Sequence, residues 1–238
     1  MATRTAKTSP LIIARVAGFL YLIQAILGIF SLLYVSSSLI VSGDVAATTS
    51  NIMASESLFR LGIVSNLLVP TVGILYVLFL YKLLKPVSKD SAVLMVVLAL
   101  LGVPIAVFNE FIQLGVLQLL SGADYLTVFS TAQLQALAYL FLRLHSYGIS
   151  LAFIFSGLWL FPLGYLVFKS GFLPRILGVL LIIGGFGYLI DVFAEFLFSG
   201  SNLSIGLFTG LSEIFFLLWL LIKGVNVEKW EKRATESA

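Results

Sequence analysis

The sequence contains no cysteine and a single histidine, His145. The lack of cysteine excludes disulfide bonds, thiolate metal sites and thiol nucleophiles. One histidine excludes a bis-histidine haem or a multi-histidine zinc site built within one chain. The phosphate-binding G-x-x-x-x-G-K-[ST], zinc-protease H-E-x-x-H and hydrolase G-x-S-x-G motifs are also missing from the sequence. We therefore predict no cofactor, no metal and no assigned catalytic residue.

Charged residues are scarce as well. They make up 11% of the 238 residues, compared with about 25% in ordinary soluble domains. Hydrophobic residues make up 60% and the mean hydropathy is +1.11. Too little polar surface remains to cover so much apolar side chain in water, so lipid is the solvent that fits. The net charge of +3 does not indicate nucleic-acid binding, because the basic residues lie at the ends of apolar segments.

Six apolar segments are long enough to cross a hydrocarbon core of about 30 Å, which takes about 20 residues of helix. They cover residues 11–34, 58–83, 92–120, 137–168, 175–198 and 205–222. We predict an all-α fold: a polytopic bundle of six transmembrane helices that forms a single domain over residues 1–238.

The distribution of basic residues predicts the orientation of this bundle. Most basic residues lie at the N-terminus, in the second and fourth loops or at the C-terminus. They are Arg4, Lys7, Lys82, Lys85, Lys89, Lys169, Arg175, Lys223, Lys229, Lys232 and Arg233. The other three loops contain Asp44, Glu56 and Asp124 but no lysine or arginine. By the positive-inside rule, both termini are predicted to be cytoplasmic.

Two helix starts can also be predicted from local patterns. Asp44 is placed to cap a short surface helix over residues 45–55. Ser130-x-x-Gln133 resembles a capping box, so the fourth helix is expected to begin before its apolar part.

Several polar side chains lie inside the predicted spans, where each ionised group costs about 2.5–3.5 kcal/mol at the centre of a helix. Most of them fall in the half of the bundle away from the cytoplasm, and Glu213 is nearest to mid-membrane. We predict a ligand-binding polar cluster in this outer half. Its candidate residues are Arg60, Asn66, Glu110, Arg143, His145, Tyr147, Tyr188, Asp191, Glu195 and Glu213.

The charges of this set do not balance. The set contains two arginines and four carboxylates, so its net charge is −2 when all of them are ionised. Some carboxylates are therefore expected to be protonated, to pair with an arginine or to bind a cation. The alternative is simple interhelical ion pairing, of Arg60 with Glu110 or Asp191 and of Arg143 with Glu195.

His145 and Arg143 are not expected to face the same narrow site. They are about 200° apart around a helix that turns 100° per residue. His145 is interpreted as an interfacial residue that reaches lipid headgroups or water. Asn109 and Gln113, one turn apart on the third span, are interpreted as packing hydrogen-bond donors and acceptors.

Five tracts of the chain resemble one family. They are residues 51–62 (NIMASESLFRLG), 119–124 (LLSGAD), 132–148 (AQLQALAYLFLRLHSYG), 169–180 (KSGFLPRILGVL) and 187–191 (GYLID). They are similar to the membrane-protein family known as domain of unknown function 4386. The resemblance implies a multi-pass bacterial membrane protein and no established activity, cofactor or catalytic residue. It includes His145, Tyr147, Gly148 and Asp191, whereas the third span, with Asn109 and Glu110, departs most from it.

Three classes of function remain open. The first is binding or transport of a proton, cation or cationic small molecule that enters from the extracytoplasmic side. The second is a structural or regulatory membrane protein whose charges only pair. The third is an intramembrane enzyme that uses Asp191, Glu195 and Glu213 as acid, base or metal ligands. The expected location is the bacterial plasma membrane, with lipid as the partner and no nucleic acid. The sequence predicts no oligomeric state.

Overall fold

The computed structural model describes residues 9–198 and 205–237. All secondary structure within these two ranges is helical, which confirms the all-α prediction. The α-helices, labelled in chain order, are α1 Pro10–Ile29, α2 Ser36–Leu39, α3 Val45–Ala54, α4 Glu56–Leu84, α5 Lys89–Leu119, α6 Thr131–Leu158, α7 Leu160–Ser170, α8 Arg175–Leu197, α9 Ile205–Ile222 and α10 Val227–Glu236. Arg4 and Lys7, which contribute to the predicted orientation, lie outside the described residues.

A π-helical turn joins α1 to α2 at Phe30–Val35. The Ser36 amide donates to the Ser31 carbonyl five residues earlier, which is the hydrogen bond of a π-helix. The helix then continues to Leu39 and ends where Ile40 adopts extended backbone angles. It is therefore longer than the predicted first span, which ended at Tyr34.

Both predicted helix starts are confirmed. The Asp44 side chain accepts a hydrogen bond from the Ala47 amide at 2.8 Å and caps α3. The Ser130 hydroxyl accepts from the Gln133 amide at 3.3 Å, while the Gln133 side chain accepts from the Ser130 amide at 2.8 Å. This reciprocal pair is a capping box.

The fourth predicted span contains one irregular residue, Trp159, between α6 and α7. Pro162 has no amide hydrogen to give to the carbonyl of Leu158 one turn earlier, so one helical hydrogen bond is missing there. The Trp159 amide still donates to the Phe155 carbonyl and the Leu163 amide to the Trp159 carbonyl, so the predicted span over 137–168 lies within one helical segment, Thr131–Ser170. Pro70 and Pro104, by contrast, lie within unbroken helices.

Five of the described helical segments are long and apolar enough to span a membrane. They are Pro10–Leu39, Glu56–Leu84, Lys89–Leu119, Thr131–Ser170 and Arg175–Leu197. The pair Gly210–Ile222 and Val227–Glu236, bent by 100°, makes a sixth if it is taken as one span. Large apolar side chains such as Phe108 and Phe111, which are 73% and 69% exposed, cover the outside of these helices. Lipid is the environment that such surfaces require.

The chain forms two compact units. Unit 1 comprises Met1–Leu22, Gly73–Leu101 and Phe153–Ala238, and unit 2 comprises Ile23–Val72 and Gly102–Ala152. The core of unit 1 is rich in leucine and includes Leu80, Leu163 and Leu181, all fully buried. The core of unit 2 includes Ile52 and Val116.

Within unit 1, glycines allow α7 and α8 to approach each other closely. A Cβ atom added to Gly164 would lie 2.7 Å from the Gly178 carbonyl oxygen. Near the end of α6, a Cβ atom on Gly157 would likewise lie 2.9 Å from the Gly185 carbonyl oxygen of α8. Contact of backbone with backbone through small residues is typical of helix packing in membranes. It also fixes the position of Tyr188, one turn beyond Gly185.

The amphipathic helix α10 was not predicted from the sequence. Asn226 caps it by accepting a hydrogen bond from the Lys229 amide at 3.0 Å. The Trp230 indole N–H donates to the Leu83 carbonyl oxygen at 2.7 Å, near the end of α4. This bond satisfies one of the carbonyls that the last turn of a helix leaves without an intrahelical donor.

Candidate functional site

Four polar side chains are buried together in unit 2. Asn109 and Glu110 are adjacent residues of α5, and Gln113 follows them by about one turn. His145 lies on α6. Glu110 is 5% exposed and His145 is 7% exposed. His145 is therefore a buried residue rather than the exposed interfacial one that the sequence suggested, and its ring turns toward Glu110 and Gln113.

His145 contacts Glu110 and Gln113 through its ring nitrogens. Nε2 lies 2.9 Å from Glu110 Oε1, and the Gln113 amide nitrogen lies 2.8 Å from Nε2 and 3.3 Å from Nδ1. An ionised carboxylate can only accept and an amide nitrogen can only donate. In one tautomer Nε2–H donates to Glu110 and Nδ1 accepts from Gln113, and the closer approach of the Gln113 nitrogen to Nε2 is then a contact between two donors. In this arrangement the ring is neutral, and the pair carries the single negative charge of Glu110.

Two buried acceptor atoms in this group lack a donor among the described residues. They are Glu110 Oε2 and Asn109 Oδ1. A buried polar atom without a partner costs about 1–3 kcal/mol, and more when it is charged. The cluster therefore has unused capacity for hydrogen bonds from a donor that is not part of the described chain.

The Asn109 side chain fastens α5 to α6. Its Nδ2 atom donates to the His145 carbonyl oxygen at 2.9 Å. Its amide group lies directly on Gly148, in the space that a Cβ atom at this position would occupy. The absence of a side chain at Gly148 therefore allows the bond that holds the backbone of His145.

A Gly148→Ala variant tests this packing. The new methyl group would displace the Asn109 amide and break its bond to His145, so we expect a loss of about 1–3 kcal/mol of unfolding free energy. Thermal unfolding in detergent micelles, followed by circular dichroism, measures the loss. The matched control is Gly28→Ala, because no described atom lies within 4 Å of a Cβ at Gly28. Equal stability of the two variants would contradict the packing role of Gly148.

A partly open pocket of about 120 Å³ lies beside this cluster in unit 2. This volume compares with about 30 Å³ for one water molecule in the liquid and about 150 Å³ for a cavity that binds benzene. Its lining combines hydroxyl, amide and imidazole groups with apolar side chains. The lining residues are Ser31, Leu32, Val35, Ser36, Leu39, Ile40, Phe59, Gly62, Asn66, Gln113, Leu142, His145, Ser146 and Ile149.

The π-helical turn forms part of the pocket wall, through Ser31, Leu32 and Val35. A π-turn widens a helix locally and frees carbonyl groups, and such turns are frequent at functional sites. Asn66 and His145, two of the predicted candidate residues, both line this pocket. Glu110 joins them through its bond to His145.

Four other candidate residues are exposed side chains rather than members of a buried cluster. They are Arg60, Arg143, Tyr147 and Glu195. Arg60 Nε lies 2.7 Å from Glu56 Oε1, one turn earlier on α4, so the predicted pair of Arg60 with Glu110 is wrong. The i,i+4 partner lies on the same helix face and is reached without crossing to another helix.

Arg143 also has a partner on its own helix. Its guanidinium group lies 5.6 Å from the centre of the Tyr147 ring and donates to the Tyr147 hydroxyl at 3.4 Å. Arg143 is exposed whereas His145 is buried. The helical spacing of these two residues correctly separated their faces.

Asp191 is partly buried and has a local structural role. Its Oδ1 atom accepts a hydrogen bond from the amide of Ile205 at 2.9 Å, where α9 begins. A carboxylate at this position satisfies a free amide and complements the helix dipole. No group of three or more His, Asp or Glu side chains is gathered at a metal-binding distance in residues 9–198 and 205–237. Asp191, Glu195 and Glu213 are therefore not gathered as ligands of one metal ion.

Glu213 and Tyr188 belong to a different group of residues in unit 1. The Tyr188 hydroxyl donates to Glu213 Oε1 at 2.8 Å, and the Tyr21 hydroxyl donates to Glu213 Oε2. The Tyr76 ring stacks on Tyr21, with ring centres 4.6 Å apart. Of the ten candidate residues, Asn66 and His145 line the pocket in unit 2, and Tyr188 and Glu213 belong to this group in unit 1.

Tyr21 and Tyr76 were missed by the sequence analysis. A usable signal was present, because tyrosines in membrane helices favour the two interfaces, whereas these two lie well inside their apolar segments. A tyrosine hydroxyl buried in a membrane span needs a hydrogen-bond partner. Glu213, a carboxyl at similar depth, could have been predicted as that partner.

Comparisons with known proteins identify the family of the chain. The family model described as domain of unknown function (DUF4386) matches residues 16–224. A protein from Archaeoglobus fulgidus described as uncharacterized is 35% identical over 150 residues, which cover 61% of this chain and 72% of that protein. No solved structure matches the chain. The family match confirms the resemblance found in the sequence, and the protein belongs to the DUF4386 family.

Proposed function

We propose that the protein spans the bacterial plasma membrane six times, with both termini in the cytoplasm, and binds a small cationic molecule in the pocket beside His145. The observation that carries this proposal is the buried Glu110–His145 pair. In the tautomer in which Nε2–H donates to Glu110, the imidazole is neutral and the carboxylate is ionised, which leaves one uncompensated negative charge next to the pocket. A positively charged occupant would compensate that charge.

The surroundings of the pocket support a cation over an anion. Its lining includes neither lysine nor arginine. The two arginines of the predicted cluster are exposed and engaged elsewhere, Arg60 with Glu56 and Arg143 with Tyr147. The orphaned Glu110 Oε2 atom adds an acceptor that an ammonium or amidinium group can satisfy.

The position of the lining residues supports access from outside the cell. They belong to the end of the first span, the start of the second, the end of the third and the first half of the fourth. Under the orientation predicted by the positive-inside rule, all four of these segments lie on the extracytoplasmic side. The mixed lining favours a small amphiphilic amine, whose apolar part contacts Leu142 and Ile149.

Benzylamine, which is protonated at neutral pH, is a suitable probe, and benzyl alcohol is its uncharged analogue of nearly equal size. We expect the purified protein in detergent micelles to bind benzylamine by calorimetry and to bind benzyl alcohol at least about tenfold more weakly, a difference of about 1.4 kcal/mol. We expect Glu110→Gln to weaken benzylamine binding by a similar factor and to leave binding of benzyl alcohol unchanged.

The matched control is Glu56→Gln, which removes a carboxylate in the same unit from an exposed ion pair. It is expected to leave benzylamine binding unchanged. The proposal fails if benzylamine and benzyl alcohol bind equally, or if the two glutamine variants have the same effect.

The Asn109 contact favours a second candidate, a structural membrane protein in which these groups hold helices together. Asn109 bonds to the backbone of α6 rather than to the pocket. Under this alternative, Glu110→Gln lowers the unfolding temperature, and benzylamine has no effect on the wild type or the variant.

A further inference from the structure

Glu213 of α9 is a carboxyl group surrounded by phenols in unit 1. Tyr21 of α1 and Tyr188 of α8 each donate a hydrogen bond to it, one to each carboxylate oxygen. The pocket in unit 2 does not include any of these three residues. The group is therefore independent of the binding function proposed above.

The charge of Glu213 has no cationic counterpart in the described part of the chain. Ion pairs of the described residues join Arg60 to Glu56, His145 to Glu110 and Arg233 to Glu236, and none of them includes Glu213. A carboxylate inside a membrane protein is costly unless it is paired, hydrated or protonated. Two phenol hydrogen bonds reduce this cost without cancelling the charge.

Tyr76 of α4 adds an unsatisfied hydroxyl to the same group. Its ring stacks on Tyr21 and meets Trp159 edge-on at 6.0 Å. The residue is 1% exposed, and its hydroxyl has no hydrogen-bond partner among the described residues. A buried hydroxyl of this kind is usually completed by an ordered water.

Gly210 leaves room for such a water. It precedes Glu213 by almost one turn of α9, and a Cβ atom placed on it would meet a single described atom within 4 Å, the Tyr188 hydroxyl oxygen at 3.9 Å. A larger side chain would occupy this space. The glycine thus keeps an open position next to the bond between Tyr188 and Glu213.

The chemistry of the group suits a proton better than a metal ion. Metal sites for hard cations generally use six or more oxygen ligands, with several carboxylates or carbonyls. Here there is one carboxylate, and the two phenols that contact it point their hydrogens at it. Phenol hydroxyls can either donate or accept, so they can reorient when the carboxyl gains a proton.

We propose that Glu213, together with Tyr21, Tyr76 and Tyr188, forms a proton-binding site in the membrane-spanning part of unit 1. The proton arrives from solvent on a water molecule: an O–H bond forms at the Glu213 carboxylate, an O–H bond of hydronium breaks and water is left. The phenols stay neutral. The protonated carboxyl becomes a donor, so one of the two bonded phenols turns from donor to acceptor.

Two aromatic side chains that do not titrate pack against the phenols of this site. Phe153 packs on Tyr188, and Trp159 packs on Tyr76. Asp191, three residues after Tyr188 on α8, accepts the Ile205 amide at the start of α9. Among the described residues, the titratable groups that bond to Glu213 are Tyr21 and Tyr188, and Tyr76 stacks on Tyr21.

Infrared difference spectroscopy at a series of pH values tests the proposal on the full-length protein in lipid. We expect a carboxyl C=O band that appears as pH falls, shifts in D₂O and is absent from Glu213→Gln. Glu110→Gln is expected to retain this band, which separates the test from that of the pocket. A titrating band that persists in Glu213→Gln overturns the proposal.

Tyr188→Phe provides a second test in case Glu213→Gln does not fold. It keeps the carboxyl and removes one hydrogen bond to it, so the band is expected to move to higher frequency. An unmoved band contradicts the assignment. Thermal stability that rises with sodium chloride at constant pH, but not with choline chloride of equal concentration, would indicate a bound metal ion and overturn the proton assignment.

Discussion

A Gly178→Val variant is expected to lose about 3 kcal/mol or more of unfolding free energy, the upper end of the overpacking range. A Cβ atom at Gly178 would overlap the Gly164 carbonyl oxygen and the Phe168 amide nitrogen of α7. Both atoms belong to backbone, so no change of side-chain rotamer relieves the overlap. The α7 and α8 helices would have to separate, and the buried contacts of Leu163 and Leu181 would loosen.

Gly28→Val provides the matched control for this prediction. It introduces the same β-branched side chain into a spanning helix, at a position where no described atom lies within 4 Å of the added Cβ. Its unfolding temperature in detergent micelles is expected to stay close to that of the wild type. Equal losses in the two variants would mean that valine disfavours the helices themselves and that close approach at Gly178 is not the cause.

The spanning helices were predictable because hydrophobic length is read directly from the residues. The eighth and ninth helices begin and end within one residue of the predicted spans 175–198 and 205–222. The irregular residue at Trp159 was not predictable in this way. Pro104 lies within a regular α-helix, whereas Pro162 follows a residue that departs from one.

The C-terminal helix α10 escaped a search for long apolar runs because it is short and mostly charged. Its signals were local: Asn226 at the cap, and Trp230 flanked by Glu and Lys residues. The contact that secures it, from Trp230 to the Leu83 carbonyl, joins residues 147 positions apart. Such a contact depends on how the helices fold back on one another, which spacing along one helix does not describe.

The residue types of the site and the helix faces on which they lie were predictable, but their hydrogen-bond partners were not. Helical spacing correctly placed His145 and Arg143 on different faces. It did not identify Glu110 as the partner of His145, because the relative rotation and depth of α5 and α6 decide that bond. Glu213 and Tyr21, 192 positions apart, met for the same reason. One sequence gives the periodicity of each helix and leaves the register between helices open.

A His145→Leu variant is expected to cost about 3 kcal/mol of unfolding free energy, because it leaves the buried Glu110 carboxylate without its donor. Glu110→Leu removes the charge itself and orphans the neutral ring, so a smaller loss is expected. The double variant replaces both polar groups by apolar ones and is expected to recover much of the stability that His145→Leu loses. Chemical unfolding of the four proteins in mixed micelles measures the coupling energy of this cycle.

The exposed pair of Arg60 and Glu56 provides the control cycle. Its side chains are 57% and 53% exposed, and exposed pairs one helical turn apart couple by only about 0.3–0.5 kcal/mol. A strong coupling at Glu110 and His145 together with a weak one at Arg60 and Glu56 would mean that burial determines the energy of the pair. Additive losses at Glu110 and His145 would contradict a direct bond between them. The Glu110–His145 pair would then no longer be a reason to expect a cationic ligand in the pocket.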